Sequence, residues 1–478
     1  MKSIERADIM NTAHKPLRPI NMTDGPIFSS IVRYTLPIML SSILQLLFNA
    51  ADLIVVGRFC NDLCVGAVGA TGSLVTLITN LFIGCGAGVA VCTANSIGSG
   101  NKELTERIVH TAIPLALILG AGMSIIGLVF SGPMLKMMST PADILPLSSL
   151  YLKIYFLGAI PNFLFEFGAA ILRASGDTKS PMKFLIISGA TNLVLNIIFV
   201  TLLGMDVDGV ATATVVAQTL SATLMIITLL NRRDECRLVL RKIKIRWSIL
   251  KRVAKIGLPA GLNGSIFSIS NIIVQASINS FDDPAIVSGN AAAASIEGFV
   301  YIAMNAFYQT SLNFTGQNMG AGNFKRVSRV LRRNLLCVTV VGVLGGLAIN
   351  LFAPQLLSLY VPDNTVAIKT GITRMSYIGM FYFMCGVMEV FTGAVRGMGA
   401  SLTTLFISVS AVCGIRIMWI FTVFQMEQFH TLDSLYISYI LSWIGCILAL
   451  FVAYNIINKH KKRVYEQRTK ERPMKYEK

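Results

Sequence analysis

Apolar stretches close to or longer than the ~20 residues a helix needs to cross a bilayer recur along this chain from one end to the other. Twelve of them lie at about 31–56, 64–94, 108–130, 148–172, 182–204, 208–230, 254–280, 286–316, 330–353, 372–395, 402–424 and 433–457. Nothing else in the sequence restricts the fold as strongly. Inside hydrocarbon every backbone N–H and C=O must be paired within the protein, which leaves helices or closed barrels. The stretches contain Pro and Gly and lack the two-residue alternation of barrel strands, so helices are expected. Only 14% of the 478 residues are charged, against roughly a quarter in an average soluble chain. The expected fold class is therefore an all-α polytopic membrane protein with twelve transmembrane helices. Residues 1–30 carry mixed charge and no apolar core, so they do not read as a cleaved signal peptide.

The net charge of +17 is one-sided. Thirty-five Lys and Arg fall in the amino terminus, the tail and alternate loops, whereas Arg58, Lys136, Lys153, Lys369 and Arg374 are the five assigned to the opposite side. Cytoplasmic loops retain positive charge, which places both termini in the cytoplasm and makes the chain a multi-pass protein of the cell (inner) membrane. The basic linker 231–253 then faces anionic lipid, and the charge needs no nucleic-acid partner.

The chain also repeats itself. Arg33-Tyr34-Thr35-Leu36-Pro37 opens the first span and Lys255-Ile256-Gly257-Leu258-Pro259 the seventh, 222 residues later. Thr93, Gly98, Gly100, Asn101 and Arg107 recur at the same shift as Thr315, Gly320, Gly322, Asn323 and Arg329. Glu166, Arg173 and Gly176 recur 223 residues on as Glu389, Arg396 and Gly399. Three anchors at one offset mark a duplication. Six spans per copy give both copies the same orientation, a parallel repeat about an axis along the membrane normal, with a cleft between the bundles. The expected organisation is an amino terminus 1–26, a bundle 27–230, the linker 231–253, a bundle 254–457 and a basic tail 458–478.

An ionisable side chain deep in a span costs at least about 2.5–3.5 kcal/mol and so marks a functional candidate. Asp52, Glu166, Glu297, Glu389 and Arg416 qualify. Asp52 has no counterpart in the second copy, where Val274 stands. It can hold a proton or a cation, or else cap its helix or pair with Arg58. Glu166 and Glu389 each precede an Arg by seven residues, too far on this reading for a direct bond, and either line the cavity or tie neighbouring helices together. Arg416 needs a buried partner, for which Glu389 is the candidate. Glu297 lies in a small-residue surface suited to close packing and reads as packing and polar glue between helices rather than as a ligand. Asn192 and Asn196 share a helix face, with Thr214 in the next span, and can either ligate a cation or hydrogen-bond across helices.

No Gly-x-x-x-x-Gly-Lys-Ser/Thr loop is present, and there are four His without metal spacing, so neither ATP hydrolysis nor membrane hydrolase chemistry is expected. The nine cysteines read as small apolar fillers; Cys60 and Cys64 are the one pair with a conceivable ligand spacing.

The segments LPIMLSSILQLLFNAADLIVVGR, GCGAGVAVCTANSIGSGN, LRASGDTKSP, FTGQNMGAGNFKRV and AVRGMG, in this order, resemble the multidrug and toxic compound extrusion (MATE) family of cation-coupled antiporters. The resemblance covers about residues 27–457 and implies two six-helix bundles forming a V-shaped cavity. It implies export of amphipathic, often cationic compounds in exchange for protons or sodium ions, with no cofactor. Asp52 matches the family's coupling aspartate, and Asn192 and Thr214 match polar members of its amino-half cation site. At Asn196 several members carry Asp, and a glutamate of some relatives in span seven is replaced by Phe267; the smaller negative charge favours H+ over Na+. Glu389 and Arg416 correspond to second-half groups of the site more loosely. A small-molecule substrate, surrounding lipid and a monomeric state are expected. Two other functions fit the architecture: a lipid-linked oligosaccharide flippase, which needs several basic residues in its cavity, and a membrane receptor or scaffold without transport.

Overall fold

The structure, a computed structural model, describes residues 19–471 apart from 61, 139 and 363. Among the described residues there are helices and no strands. The spans are α1 (Ile27–Phe59), α2 (Asp62–Gly98), α3 (Lys102–Met137), α4 (Leu145–Leu157 and, after a 46° bend, Ala159–Ala174), α5 (Lys179–Leu202) and α6 (Val207–Asn231). The second half follows as α7 (Trp247–Asn279), α8 (Pro284–Gly320), α9 (Phe324–Leu351), α10 (Thr365–Gly397), α11 (Ser401–Gln425) and α12 (Leu432–Glu471). Ten of these are long and apolar enough to span a membrane by themselves, the bent α4 makes an eleventh, and α2 takes the remaining place.

The duplicated motifs occupy equivalent turns. Asn101 caps α3 by accepting from the Leu104 N–H at 2.9 Å, and Asn323 caps α9 by accepting from the Arg326 N–H at 3.2 Å; each satisfies a backbone donor that the first helical turn leaves free. The residue before each cap is a left-handed glycine, Gly100 at φ 68° and Gly322 at φ 70°, a conformation that a Cβ would penalise.

Two helices extend beyond the apolar stretches that they contain. The last residues of the expected linker form the first turns of α7, and the tail continues α12 as helix to Glu471, because nothing in that stretch breaks a helix once it leaves the lipid. The linker that remains is fastened to the amino half: the Val239 N–H donates to His110 Nε2 at 3.0 Å, and Lys242 meets Glu106 at 2.6 Å.

The halves meet along one seam. A Cβ at Gly84 or Gly88 of α2 would run into the α7 backbone at Gly261 or Val253, and one at Gly98 into the α8 backbone at Gln317. Small residues thus let the backbones touch, which is how helices gain packing energy where lipid supplies no hydrophobic drive. Gln317 adds a hydrogen bond from its Nε2 to the Ala174 carbonyl at 2.7 Å, and the hydroxyls of Thr35 and Thr310 lie 2.7 Å apart. Residues 20–25 strap both halves. Ile20 N–H donates to the Gly176 carbonyl at 3.2 Å, and the Met22 carbonyl accepts from Asn318 at 3.0 Å and Arg326 at 3.1 Å. These contacts run from the end of the molecule that carries both described termini to about the middle of α2 and α7. Toward the other end no hydrogen bond joins the two bundles among the described residues, in keeping with the V-shaped cavity of this fold class.

Gly84→Leu is expected to weaken the fold by about 1–3 kcal/mol through overpacking, read as a lower unfolding midpoint of the purified protein in detergent. Gly69→Ala, on the same helix with nothing within 4 Å of the added carbon, is expected to leave the midpoint unchanged.

Candidate functional site

Near the open end of the amino half, α1, α5 and α6 assemble a polar cluster. Gly189 of α5 leaves room for the ring of Phe48 on α1, and a Cβ there would collide with it. That close approach sets Asp52, one turn beyond Phe48, opposite Asn196. Asn196 Nδ2 donates to Asp52 Oδ1 at 2.6 Å and lies 3.4 Å from Asn192 Oδ1, while Asn192 Nδ2 donates to Thr214 Oγ1 at 3.3 Å. Thr214 Oγ1 in turn donates to the Val210 carbonyl at 3.0 Å, so its oxygen lone pair is free to accept. Asn196 is fully buried at 0% exposure, yet its Oδ1 has no partner among the described residues.

All four residues singled out in sequence, Asp52, Asn192, Asn196 and Thr214, are therefore in one chain of contacts. Asp52 is not paired with Arg58 among the described residues. The helix leaves α geometry just after Asn196, with a π-helical segment at Ile198–Leu202. Such segments frequently accompany functional side chains. Tyr151 of α4, which no primary pattern singles out, lies within electrostatic reach of Asp52.

The carboxy half is built differently. Arg374 of α10 meets Glu297 of α8 at 2.8 Å, donates to Asn290 Oδ1 at 2.7 Å, and faces the rings of Tyr436 and Tyr439, each 5.9 Å away. Glu297 thus ties α8 to α10 through an ion pair. In sequence Arg374 is counted with the charges of the outer side; α10 begins ahead of it, at Thr365, and the Arg374 side chain is buried against α8 and α12. The signal available was Glu297 itself, a buried charge in need of a cation.

Arg416 does not pair with Glu389. Its Nε donates to Ser442 Oγ at 3.0 Å and its guanidinium lies 4.0 Å from the centre of the Tyr439 ring, a desolvated cation–π contact. Arg416 also follows a π-helical segment, Val409–Gly414. Glu389 makes no ion pair among the described residues. The two Glu–Arg repeats also diverge: Glu166 and Arg173 are 3.3 Å apart, because two long side chains bridge the two turns between them. Arg396 instead donates to Tyr308 Oη at 2.9 Å and Thr404 Oγ1 at 3.1 Å. Where α1 ends and α2 and α6 begin, Cys60, Cys64 and Asp206 bring possible ligand atoms within 4.8 Å of one another.

A duplicated, two-bundle helical fold with one carboxylate set in a polar cluster of the amino half is the arrangement of a membrane transporter. The MatE family profile matches the chain twice, over residues 37–202 and 259–422, once in each half. The chain belongs to the MatE family, whose members are transporters rather than enzymes. It is 25% identical over 463 residues to the probable multidrug resistance protein YoeA of Bacillus subtilis, covering 95% of this chain and 98% of that one. It is also 28% identical to an FAD transporter of Shewanella oneidensis, over 72% of this chain and 77% of that one. A solved outward-facing multidrug resistance MATE transporter of the MOP superfamily superposes with a TM-score of 0.84 at 21% identity, covering 95% of this chain and all of that one.

Glu297→Gln is expected to cost about 3–5 kcal/mol by leaving Arg374 charged and unpaired, measured as loss of thermal stability in detergent. Replacing both residues by Met is expected to recover most of that loss.

Proposed function

We propose that this protein is a secondary-active efflux transporter that exchanges amphipathic, cationic drugs or toxic compounds for protons by alternating access. The observation that carries this reading is the Asp52–Asn196–Asn192–Thr214 chain. A lone carboxylate with an amide donor facing it is a poor cage for a metal cation, which prefers several oxygens, and a good place for a proton. When Asp52 is ionised it accepts from Asn196 Nδ2. On protonation the carboxyl becomes a donor, and the unpartnered Asn196 Oδ1 can receive it after the amide turns over. Each charge state then favours a different arrangement of α1 against α5, and the π-helical turn after Asn196 supplies slack for the change.

The bundles 27–230 and 254–457 act as the two rocking bodies, hinged at the seam, with the termini and linker in the cytoplasm of a single-chain protein of the cell membrane. In that orientation the closed seam faces the cytoplasm and the cleft faces outward. Multidrug resistance in the name of the Bacillus relative supports the substrate class.

A second reading has one specific observation behind it. Arg416 is a buried guanidinium with no carboxylate partner among the described residues, and a substrate bearing an anionic group would neutralise it; the FAD transporter among the relatives carries such a substrate. A lipid-linked oligosaccharide flippase would fall under the same logic. Arg374, in contrast, is already neutralised by Glu297.

Asp52→Asn in inverted membrane vesicles is expected to reduce proton-driven efflux of a cationic dye to the level of vesicles lacking the protein, while insertion and dye binding persist. Unchanged efflux would remove Asp52 from coupling. Efflux driven by a sodium gradient alone would reverse the ion assignment, and export of a flavin dinucleotide but no cationic dye would select the second reading.

A further inference from the structure

At the terminus-bearing end of the seam lies a cavity of about 400 Å³, well away from the polar cluster of the amino half. Its size falls within the ordinary range of small-molecule sites. Its wall is drawn from both halves and from the helical tail. Asn95 comes from α2, Arg252 and Lys255 from the first turns of α7, and Lys461 and Tyr465 from the end of α12. None of the lining residues is acidic. Arg252, Lys255 and Lys461 form no ion pair among the described residues, although elsewhere on the same surface Lys242 meets Glu106 and Lys462 meets Glu466.

The arrangement is built rather than incidental. Tyr465 packs edge-on against Phe324 with ring centres 5.6 Å apart, and it fills the space beside Gly322, where any Cβ would strike its ring. The tail helix is thereby seated as one wall of the cavity, and Lys461, one turn earlier, is brought to the same opening. Across the cavity Arg252 Nη2 donates to Asn95 Oδ1 at 3.3 Å, a bond that crosses from one half to the other and leaves the remaining guanidinium donors available. Three cations around a concave, partly enclosed space focus a positive potential. Lysine and arginine donors in that setting suit a phosphate group, with Arg able to bond two oxygens at once.

We propose that this cavity binds a phosphate-bearing anion, either free phosphate or the headgroup of an acidic phospholipid, and that its occupancy holds the two halves closed. The second part follows from the first by linkage. The wall is complete only while α2 lies against α7 and α8, so an anion bound there has less affinity for the open seam, and its binding shifts the equilibrium toward closure. Phosphate binding in this cavity is independent of what the transporter carries and of which ion drives it.

Cys92 offers a local reporter. It lines the same cavity and is 2% exposed, so its alkylation reads opening of the seam. The full-length protein in nanodiscs of phosphatidylcholine alone, treated with a maleimide and followed at Cys92 by peptide mass spectrometry, is the first arm; inorganic phosphate is added at fixed ionic strength. In the second arm phosphatidylglycerol replaces part of the lipid and phosphate is omitted. Slowing of Cys92 alkylation by at least about fivefold, the lower end of ordinary site-to-site coupling, is expected in one arm or both. Slowing in the first identifies free phosphate, and slowing in the second alone identifies the headgroup.

The double variant Lys255→Gln with Lys461→Gln is expected to abolish the protection. Lys251→Gln with Lys459→Gln, which removes the same charge from residues outside the cavity, is expected to keep it. Thermal unfolding midpoints distinguish a misfolded variant from one that has lost the site. Equal loss in both double variants would reduce the effect to surface charge and overturn the proposal, as would the absence of protection in both arms.

Discussion

The backbone contact of α2 with α7 and α8 is the joint on which this molecule depends. Lipid is as apolar as a leucine core, so two membrane bundles gain little from hiding apolar surface from each other. They adhere where backbones can touch and where polar groups find partners across the gap. Gly84, Gly88 and Gly98 provide the first, and Gln317, Thr35 and Thr310 the second. These contacts run from one end of the molecule to about the middle of α2 and α7, so the seam unites the halves over that part of their length. A joint made of close approaches is also two-state in character, since packed surfaces separate or seat rather than deform continuously.

The duplication supplies two similar scaffolds, and their buried polar groups have diverged. In the amino half the carboxylate of Asp52 is met by neutral amides and a hydroxyl, and the buried Asn196 Oδ1 is left without a partner among the described residues. In the carboxy half three buried arginines are met by Glu297, by serine and threonine hydroxyls and by tyrosine rings, and Glu389 stands apart from them without an ion pair among the described residues. A charge that is fully paired in a low-dielectric interior is costly to disturb, which suits Arg374 and Glu297 to holding α8 against α10. The lone carboxylate of Asp52 is the easier group to switch.

Much of the site was legible because helical periodicity is local. Asn192 and Asn196 are four residues apart and must share a face, and Asp52 announced itself by breaking the repeat. Arg374 was missed for an equally physical reason: where a helix begins outside its apolar core depends on what the polar turns pack against, and hydropathy is silent on that. The Arg416–Glu389 pairing failed because membership of the same bundle does not fix which faces of two helices meet. Glu166 and Arg173 were judged too far apart because backbone rise was counted without the reach of two long side chains.

By itself the sequence determined the number of spans, their common orientation in the two copies, the capped glycine turns and the one-sided charge, since all of these follow from what each segment must do with its own backbone and its own solvent. The tertiary structure decided what lies between segments. It set Asp52 against Asn196 through the gap that Gly189 leaves for Phe48, gave Glu297 to Arg374, and folded the helical tail over the end of the seam. Those are matters of which helix faces meet, and they are fixed by packing among residues far apart in the chain.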